Sequence, residues 1–307
     1  MEDYVLDKKD IDILRVFIRD SRSSYRQIGL SIGLSTNAAK TRVKKLMSSG
    51  VIRQFFTTID LAAFGYSKIC YLFVRDINST EETLSRIRLL GQLFLEVKGI
   101  GGTLLLGIAI RKKDEEKIQL LTDALKPALI QNIFIGQALP LKQKLTRTDF
   151  KIMKCLLSDS RMEISEIAKQ ISMSSKTAGN RLAKMKENRI VMFNVGTDPI
   201  RMKGYIRFSM IVRLNTKSGK ITPRKIQEVL DNHFVIACPM MHQEDLMNFQ
   251  LVVSSIFEID TGLEKIESIE GVKSVEVFIP QKGKIHQDWI LREIDNRINT
   301  IEKYYDM

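Results

Sequence analysis

Residues 6–52 read LDKKDIDILRVFIRDSRSSYRQIGLSIGLSTNAAKTRVKKLMSSGVI, and residues 145–191 read LTRTDFKIMKCLLSDSRMEISEIAKQISMSSKTAGNRLAKMKENRIV. The two stretches align without a gap at an offset of 139 residues. Identical pairs include Leu6/Leu145, Asp10/Asp149, Ile13/Ile152, Ser21/Ser160, Ile28/Ile167, Ser35/Ser174, Arg42/Arg181 and Lys45/Lys184. Composition alone does not produce such a match, so the 307-residue chain is a tandem duplication.

Each copy starts with the apolar spacing of short helices. In the first copy, Ile11, Leu14 and Ile18 lie three and four residues apart, which predicts a first helix. Ser24 is followed three residues later by Gln27, and this spacing is typical of a capping box. The pair therefore predicts the start of a second helix.

A tight turn separates the second predicted helix from a third. Gly33 supplies the left-handed backbone of the turn, Ser35 is a natural N-cap, and Gly50 follows the helix end. Helices joined in this way predict a helix-turn-helix module. The residues of the third helix expected to face the core are Ala39, Val43 and Leu46.

The opposite face of the third helix carries hydroxyl, amide and basic side chains. The second helix of a helix-turn-helix lies in the major groove of DNA. There Asn37 can pair with adenine and Lys40 can reach guanine. Arg42, Lys44 and Lys45 are placed for phosphates. The predicted DNA-binding residues of this module are Ser35, Thr36, Asn37, Lys40, Thr41, Arg42, Lys44 and Lys45.

The second copy keeps this pattern with two changes. Ser172 stands where the first copy has the turn glycine, and Gly179 stands where it has Lys40. A glycine inside a helix costs about 1 kcal/mol relative to alanine and removes a base-reading side chain. We expect this module to read a different half-site or to grip mainly the DNA backbone. Its predicted DNA-binding residues are Ser175, Lys176, Asn180, Arg181 and Lys184.

The net charge of +12 is concentrated in these two regions. Residues 1–60 carry 11 basic and 7 acidic residues, and residues 141–200 carry 12 and 6, so together they hold +10 of the +12. A compact excess of Lys and Arg is typical of proteins that bind polyanions, although a solvated basic surface has the same charge. Together with the helix-turn-helix pattern, it favours double-stranded DNA as the partner.

Each helix-turn-helix is followed by the pattern of an α+β module. Residues 51–60 alternate like a strand, and strand-helix-strand-strand-helix-strand order follows in both copies, with one helix expected over residues 114–125. This order is ferredoxin-like. The predicted fold class is α+β, with two winged-type helix-turn-helix modules, two ferredoxin-like sensor modules and a C-terminal helix. The predicted domains are residues 1–60, 61–140, 141–200 and 201–307.

The C-terminal helix is predicted from about residue 285 to residue 304. Its near-heptad apolar stripe consists of Ile290, Ile294, Ile298, Ile301 and Tyr305. The stripe can pack on the chain's own sheet or on a partner chain, and the pattern leaves both open.

A helix-turn-helix of this sequence, followed by a strand and a βαββαβ module, resembles the Lrp/AsnC family of transcription regulators. The resemblance covers essentially the whole chain twice, apart from the C-terminal helix. It implies sequence-specific control of transcription, an amino-acid effector, and sensor sheets that pack together in pairs. The duplicated chain would then mimic a family dimer, and a homodimer of chains would restore two-fold symmetry.

Effectors of that family bind near the sensor hairpin, where a Gly-x-x-Asp pattern is typical. In this sequence Gly102 takes the aspartate position, so an amino group loses its obvious partner. The second hairpin keeps acidic residues but lacks the glycine. The resemblance implies that the effector-binding candidates are Gly99, Gly101, Gly102, His242, Glu244 and Asp245. Hairpins that bind no ligand are an equal alternative.

The sequence does not show the motifs of common enzyme sites. His233, His242 and His286 lack metal-ligand spacing, and we find no phosphate-binding loop or nucleophile elbow. We therefore expect no enzymatic activity, no cofactor and no metal. Siroheme decarboxylases resemble fused regulators of this kind and stay an alternative, although their His-Asn-Tyr stretch is absent. An architectural DNA-binding protein is a second alternative.

The chain has no sequence signal for export or membrane insertion. The start of the chain lacks the basic and apolar segments of a signal peptide, and its apolar runs are far shorter than the roughly 20 residues that span a bilayer. Three widely separated cysteines form no disulfide framework. We expect a cytoplasmic, nucleoid-associated protein with no membrane partner.

Overall fold

The computed structural model describes residues 4–76, 80–215, 221–233, 236–242 and 245–305. Its helices are α1 (Lys8–Arg19), α2 (Tyr25–Ile32), α3 (Thr36–Ser48), α4 (Thr80–Leu90), α5 (Leu121–Leu125), α6 (Arg147–Ser158), α7 (Ile164–Gln170), α8 (Ser175–Glu187), α9 (Ile221–His233), α10 (Phe257–Glu267) and α11 (Asp288–Tyr305). Its strands are β1 (Ile52–Ile59), β2 (Tyr66–Arg75), β3 (Gln92–Gly99), β4 (Leu104–Arg111), β5 (Leu129–Gln137), β6 (Val191–Thr197), β7 (Ile206–Leu214), β8 (Ile236–His242), β9 (Leu246–Val253), β10 (Val272–Phe278) and β11 (Pro280–Ile285). Within these ranges, no helix has the length and apolar character needed to cross a bilayer.

The predicted α+β fold class is confirmed. Each copy begins with a three-helix module, α1–α3 in the first copy and α6–α8 in the second. The capping box expected at the start of α2 is present. The Ser24 hydroxyl accepts a hydrogen bond from the Gln27 N–H at 3.2 Å, and the Gln27 side chain accepts one from the Ser24 N–H at 2.8 Å. The Ser35 hydroxyl caps α3 by accepting from the Ala38 N–H at 3.2 Å.

The turn between the last two helices of each module is closed by the same backbone hydrogen bond in both copies. The Leu34 N–H donates to the Gly29 carbonyl, and the Met173 N–H donates to the Ala168 carbonyl, both at 2.9 Å. Gly33 takes the left-handed conformation with φ 68°. Its counterpart in the second copy is left-handed too, at φ 55°, although it is a serine. The second turn is therefore strained at that residue.

Two antiparallel sheets form the two ferredoxin-like modules. The first has the strand order β11-β3-β4-β2-β5, and the second has the order β10-β7-β9-β8. Without β11, both orders are those of a ferredoxin-like βαββαβ module, in which the first and third strands lie at the centre. The core of the first module lies between its sheet and α4 and α5, and that of the second between its sheet and α9 and α10.

The described chain divides into two compact units. One consists of Met1–Gln54 and Val195–Lys282, and the other of Phe55–Asn194 and Gly283–Met307. Each unit thus combines the helix-turn-helix of one copy with the ferredoxin-like sheet of the other. Strands β1 and β6, which follow α3 and α8, pair in a two-stranded sheet.

Two segments differ from the sequence expectation. The helix expected over residues 114–125 is a 3-10 segment, Lys112–Leu120, followed by the short α5. This segment is rich in charge and has no buried residue, and its Asp114–Lys117 ion pair at 2.8 Å suits a spacing of three residues per turn. Strand β11 was not predicted, because Pro280–Ile285 contains proline, glycine and lysine, which are rare in strands. Its partner is β3, an edge strand that is far from it in the sequence.

The predicted C-terminal helix is present as α11, and it packs within its own chain. Ile290 and Ile294 are buried against α6 and the start of β2, and Ile298 is packed at the edge of the same core. The Trp289 ring meets the rings of Tyr66 and Phe64 edge to face, with centroids 5.4 and 6.2 Å apart. The described part of the stripe is therefore used inside the chain.

Two salt bridges fasten α11 at its polar side. Arg111 pairs with Glu293 and also donates to the Phe64 carbonyl at 2.7 Å. Lys154 of α6 pairs with Asp295 at 2.6 Å. The second helix-turn-helix module and the first sheet are thus both bound to the C-terminal helix.

We predict that Ser172→Gly stabilises the protein. Glycine adopts the left-handed conformation without the Cβ penalty, so the gain is about 0.5–1 kcal/mol after the larger entropy of the unfolded glycine is counted. Urea unfolding followed by circular dichroism measures the change. The reciprocal control, Gly33→Ala, should lose about 1 kcal/mol. A lower unfolding midpoint for Ser172→Gly would show that the serine side chain stabilises its own turn.

Candidate nucleic-acid interface

Helix α3 presents a polar face because its apolar residues are used in packing. Ala39, Val43 and Leu46 are buried in the first helix-turn-helix module. They lie three and four residues apart, so they share one side of the helix. The predicted DNA-binding residues that are exposed are Ser35, Thr36, Asn37, Lys40, Thr41, Lys44 and Lys45. This side of α3 is therefore open to solvent and rich in hydrogen-bond donors.

Arg42 differs from the other predicted contacts because its guanidinium is directed toward α1. Its Nη1 donates to Oδ2 of Asp7 at 2.8 Å and to Oδ1 of Asp10 at 2.9 Å. The Arg42 side chain is 30% exposed, whereas that of Asp10 is 1% exposed. A buried carboxylate needs a partner of this kind. Arg42 thus has a structural partner in this module, and its phosphate contact stays a prediction.

The carboxylate of Asp10 collects further donors from the start of the chain. The Asp7 N–H donates to its Oδ2 at 3.1 Å, and the Tyr4 hydroxyl donates to the same oxygen. Burial and this hydrogen bond raise the pKa of Tyr4 above its ordinary value. Burial alone would raise the pKa of Asp7, but the Asp10 N–H and the Arg42 guanidinium bring it below its ordinary value. The Asp7 carboxylate beside Arg42 is therefore charged at neutral pH.

Lys45 also contacts the start of the chain. Its ammonium group lies 4.2 Å from the centroid of the Tyr4 ring, which is a cation–π contact. The side chain is nevertheless exposed, so its charge faces solvent on the flank of α3. Lys45 supports the helix and can still attract a phosphate.

The second recognition helix, α8, is held in the same way. Arg181 Nη1 donates to Oδ1 of Asp149 at 3.1 Å and to the Thr146 hydroxyl at 2.8 Å. Arg181 is thus the counterpart of Arg42 in position and in role. The predicted DNA-binding residues of α8 that are exposed are Ser175, Lys176, Asn180 and Lys184.

The exposed face of α8 places its basic side chains at different positions from that of α3. Gly179 stands in the place of Lys40, and a Cβ added there would lie 3.6 Å from Cγ2 of Ile164, at ordinary contact distance. Ala183 stands in the place of Lys44. The second module therefore lacks the ammonium groups of these two positions, whereas Lys176 and Lys186 stand where α3 has Asn37 and Met47.

The residues predicted for effector binding lie in two hairpins. Gly101 and Gly102 are exposed in the loop between β3 and β4, and Gly99 is buried at its start. His242 ends β8 and the exposed Asp245 precedes β9, while Glu244 lies outside the described residues. Across the described residues, no group of three or more His, Cys, Asp and Glu could hold a metal ion.

Comparison with known proteins agrees with this geometry. A family model described as winged helix-turn-helix DNA-binding matches residues 6–53 and again residues 145–192, which contain α1–α3 and α6–α8. The HTH-type transcriptional regulator Ptr1 of Methanocaldococcus jannaschii is 28% identical over 130 residues, covering 42% of this chain and 87% of that protein. The regulatory protein AsnC of Haemophilus influenzae is 33% identical over 67 residues, covering 22% of this chain and 45% of that protein.

The chain carries two winged helix-turn-helix DNA-binding modules in tandem and is similar to transcription regulators of the Lrp/AsnC family. It is accordingly a DNA-binding regulator of transcription. The crystal structure of the siroheme decarboxylase NirDL is similar over 98% of this chain and 100% of that chain, with a TM-score of 0.52 and 13% sequence identity. At that identity, the likeness shows a shared fold alone.

We predict that Arg42→Gln destabilises the first helix-turn-helix module by roughly 2–3 kcal/mol, because Asp10 stays buried without its cation. Thermal unfolding measures the loss. Lys44→Gln is the matched control: its side chain is exposed, so stability should change by no more than about 0.5 kcal/mol. If Arg42→Gln keeps the wild-type melting temperature but binds DNA more weakly, Arg42 contacts a DNA phosphate and does not stabilise the module.

Proposed function

We propose that this regulator binds double-stranded DNA with sequence preference, and that α3 is its principal reading helix. The observation that carries the proposal is the exposed row Asn37, Lys40, Thr41 and Lys44 on a helix that is anchored by an ion pair to a buried aspartate. An amide and an ammonium group on adjacent helical turns match the acceptors of adenine and guanine in the major groove. A helix held by packing and charge keeps these groups in one orientation.

The second module binds DNA with a different balance of contacts. Lys176, Asn180 and Lys184 provide hydrogen-bond donors on α8. Gly179 and Ala183, however, have no side chain long enough to contact base edges. We therefore infer that α8 contacts mainly phosphates and that the chain recognises an asymmetric site. Phosphate contacts position a protein on DNA without reading its sequence.

The assembly and regulation of the protein belong to the same proposal. A homodimer of chains would present two α3 helices to a symmetric site. Ile290, Ile294 and Ile298 of α11 pack within their own chain, so these residues are not part of the proposed contact between two chains. The proposed effector is a small molecule bound at the sensor hairpins. The proposed location is the cytoplasm, in association with the nucleoid.

An enzymatic role is the alternative that the fold of NirDL raises. Decarboxylation of siroheme would require the chain to bind a tetrapyrrole, which absorbs visible light. A titration with iron uroporphyrin, followed by absorbance, separates this alternative from the regulator. Saturable binding with a shifted absorption band would favour the enzyme.

We predict that Asn37→Ala and Lys40→Ala each weaken binding to the preferred DNA site by about 1–3 kcal/mol. The preferred site is first selected from random duplexes and then footprinted, and affinities are measured at fixed salt concentration because phosphate contacts depend on salt. Binding to a scrambled duplex should change far less for Asn37→Ala, since an amide carries no charge.

The matched control changes the same face of the second module. The pair Lys176→Ala and Asn180→Ala should weaken binding to the selected and scrambled duplexes alike, because α8 is assigned mainly to phosphates. If the α3 double variant keeps the full preference for the selected site, α3 is not the reading helix. If the wild-type chain binds all duplexes equally, the protein is an architectural DNA-binding protein instead.

A further inference from the structure

The end of α8 carries an arginine in a backbone conformation that favours glycine. Arg189 has φ 56°, and Gly50 follows α3 at the aligned position with φ 78°. The Arg189 N–H donates to the Lys186 carbonyl at 3.0 Å, which is a usual closure of a helix C-terminus. A residue with a Cβ is strained in the left-handed region, whereas glycine is not. Strained residues cluster at functional sites, so the exposed Arg189 side chain is a candidate for one.

The segment between β5 and α6 presents two lysines to solvent. Leu141 and Leu145 pack against the core that contains the apolar residues of α6. Lys142 and Lys144, which alternate with them in the sequence, are exposed. Because inward and outward residues alternate, both ammonium groups lie on the outer side of a segment that is held by its leucines.

A hydrogen bond joins this segment to the end of α8. The Asn188 Nδ2 atom donates to Oε1 of Gln143 at 3.0 Å. Gln143 lies between the two lysines in the sequence, and Asn188 directly precedes the strained arginine. The bond therefore places three cations side by side, Lys142, Lys144 and Arg189, which we call the basic patch. Among the residues that the structure describes, none of the three has an ion-pair partner.

The first copy shows that the helix-turn-helix scaffold does not need these cations. At the offset of 139 residues, the aligned residues are Asp3, Val5 and Gly50. One negative charge in the first copy thus corresponds to three positive charges in the second. Both copies nevertheless form the same three-helix module. The basic patch is therefore chemistry added to the scaffold and is not part of its packing.

We propose that the basic patch binds phosphates of double-stranded DNA on the flank of the groove that α8 enters. In homeodomains, the C-terminal end of the recognition helix contacts the DNA backbone, and the basic patch lies at that end of α8. Lysine and arginine at such a place bind phosphates and position the protein without reading its sequence. The inference rests on the proposed function, because it assigns further contacts of the second module to the same partner.

The first test measures how the affinity of the full chain for its selected duplex depends on salt. When the logarithm of the association constant is plotted against that of the salt concentration, each phosphate contact contributes a slope of about −0.9. The double variant Lys142→Gln and Lys144→Gln should therefore flatten the slope by about two units. The matched control, Lys112→Gln and Lys113→Gln, removes two exposed charges from the first ferredoxin-like module and should leave the slope within about half a unit of the wild type.

Arg189→Gly separates a DNA contact from a structural role. Glycine relieves the left-handed strain, so the urea midpoint of unfolding should rise, while the affinity for DNA should fall about threefold to tenfold because a phosphate contact is lost. Arg189→Gln keeps the strain and should lose the same affinity without the gain in stability. Unchanged affinity in Arg189→Gly removes the arginine from the basic patch. A lower midpoint together with weaker binding makes its role structural and contradicts the assignment as well.

Phosphate ethylation interference locates the contacts on the duplex. Ethylation removes the charge of one phosphate, so it weakens binding only where the protein contacts that phosphate. In the wild type, a group of interfering phosphates should lie on one flank of the selected site, and this group should lose its effect in Lys142→Gln and Lys144→Gln. The same set of interfering phosphates in both proteins overturns the proposal.

The outcomes distinguish this inference from the proposed function. If the wild type binds DNA and Lys142→Gln and Lys144→Gln keep its full salt slope, the basic patch is not a DNA contact, and the proposed function stands. If the wild type binds no duplex, both fail. The ratio of affinities for the selected and scrambled duplexes should be the same in this double variant as in the wild type. A reduced ratio means that the patch reads bases and overturns its assignment to phosphates. Lost binding to a single-stranded RNA of equal length, with duplex binding unchanged, assigns the patch to another partner and overturns the proposal.

Discussion

An ion pair between a buried aspartate of the first helix and an arginine of the third helix underlies the geometry of both helix-turn-helix modules. Arg42 meets Asp10 in one copy and Arg181 meets Asp149 in the other, each carboxylate being almost fully buried. Such a pair is costly to break because the remaining charge would be left in a dry environment. It therefore fixes the rotation of the recognition helix about its axis, and that rotation decides which side chains face solvent.

Duplication preserved this scaffold while the chemistry on it diverged. The arginine and the aspartate are the same in both copies, but Lys40 and Lys44 became Gly179 and Ala183. The hairpins of the two ferredoxin-like modules diverged as well, since the strand register aligns Arg75 with Leu214 and Thr103 with Asp245. A duplicated chain can change one copy alone, which a symmetric homodimer of single-copy chains cannot do. The protein thus holds two modules with one architecture and two sets of contacts.

Helix starts and turns were predicted well from the sequence, because they depend on interactions between residues that are close along the chain. The capping box of Ser24 and Gln27, the turn at Gly33 and the start of α3 at Ser35 were read from spacing, since each depends on residues within one turn of helix. The exposed side of α3 followed from the period of its apolar residues. The ion pair of Arg42 with Asp10 was not predicted, although both residues are identical in the repeat, because spacing along the chain does not show which carboxylate an arginine meets. Its actual partner lies 32 residues away in the chain.

The sequence by itself determined the duplication, the helix-turn-helix pattern and the order of strands, because periodicity, caps and turns are encoded by neighbouring residues. Only the tertiary structure decided that each unit joins a helix-turn-helix with the sheet of the other copy, that β11 extends the first sheet, and that α11 packs in its own chain. These features depend on contacts between residues far apart in sequence. Several partners of similar hydrophobicity could satisfy them, and shape complementarity in three dimensions selects one.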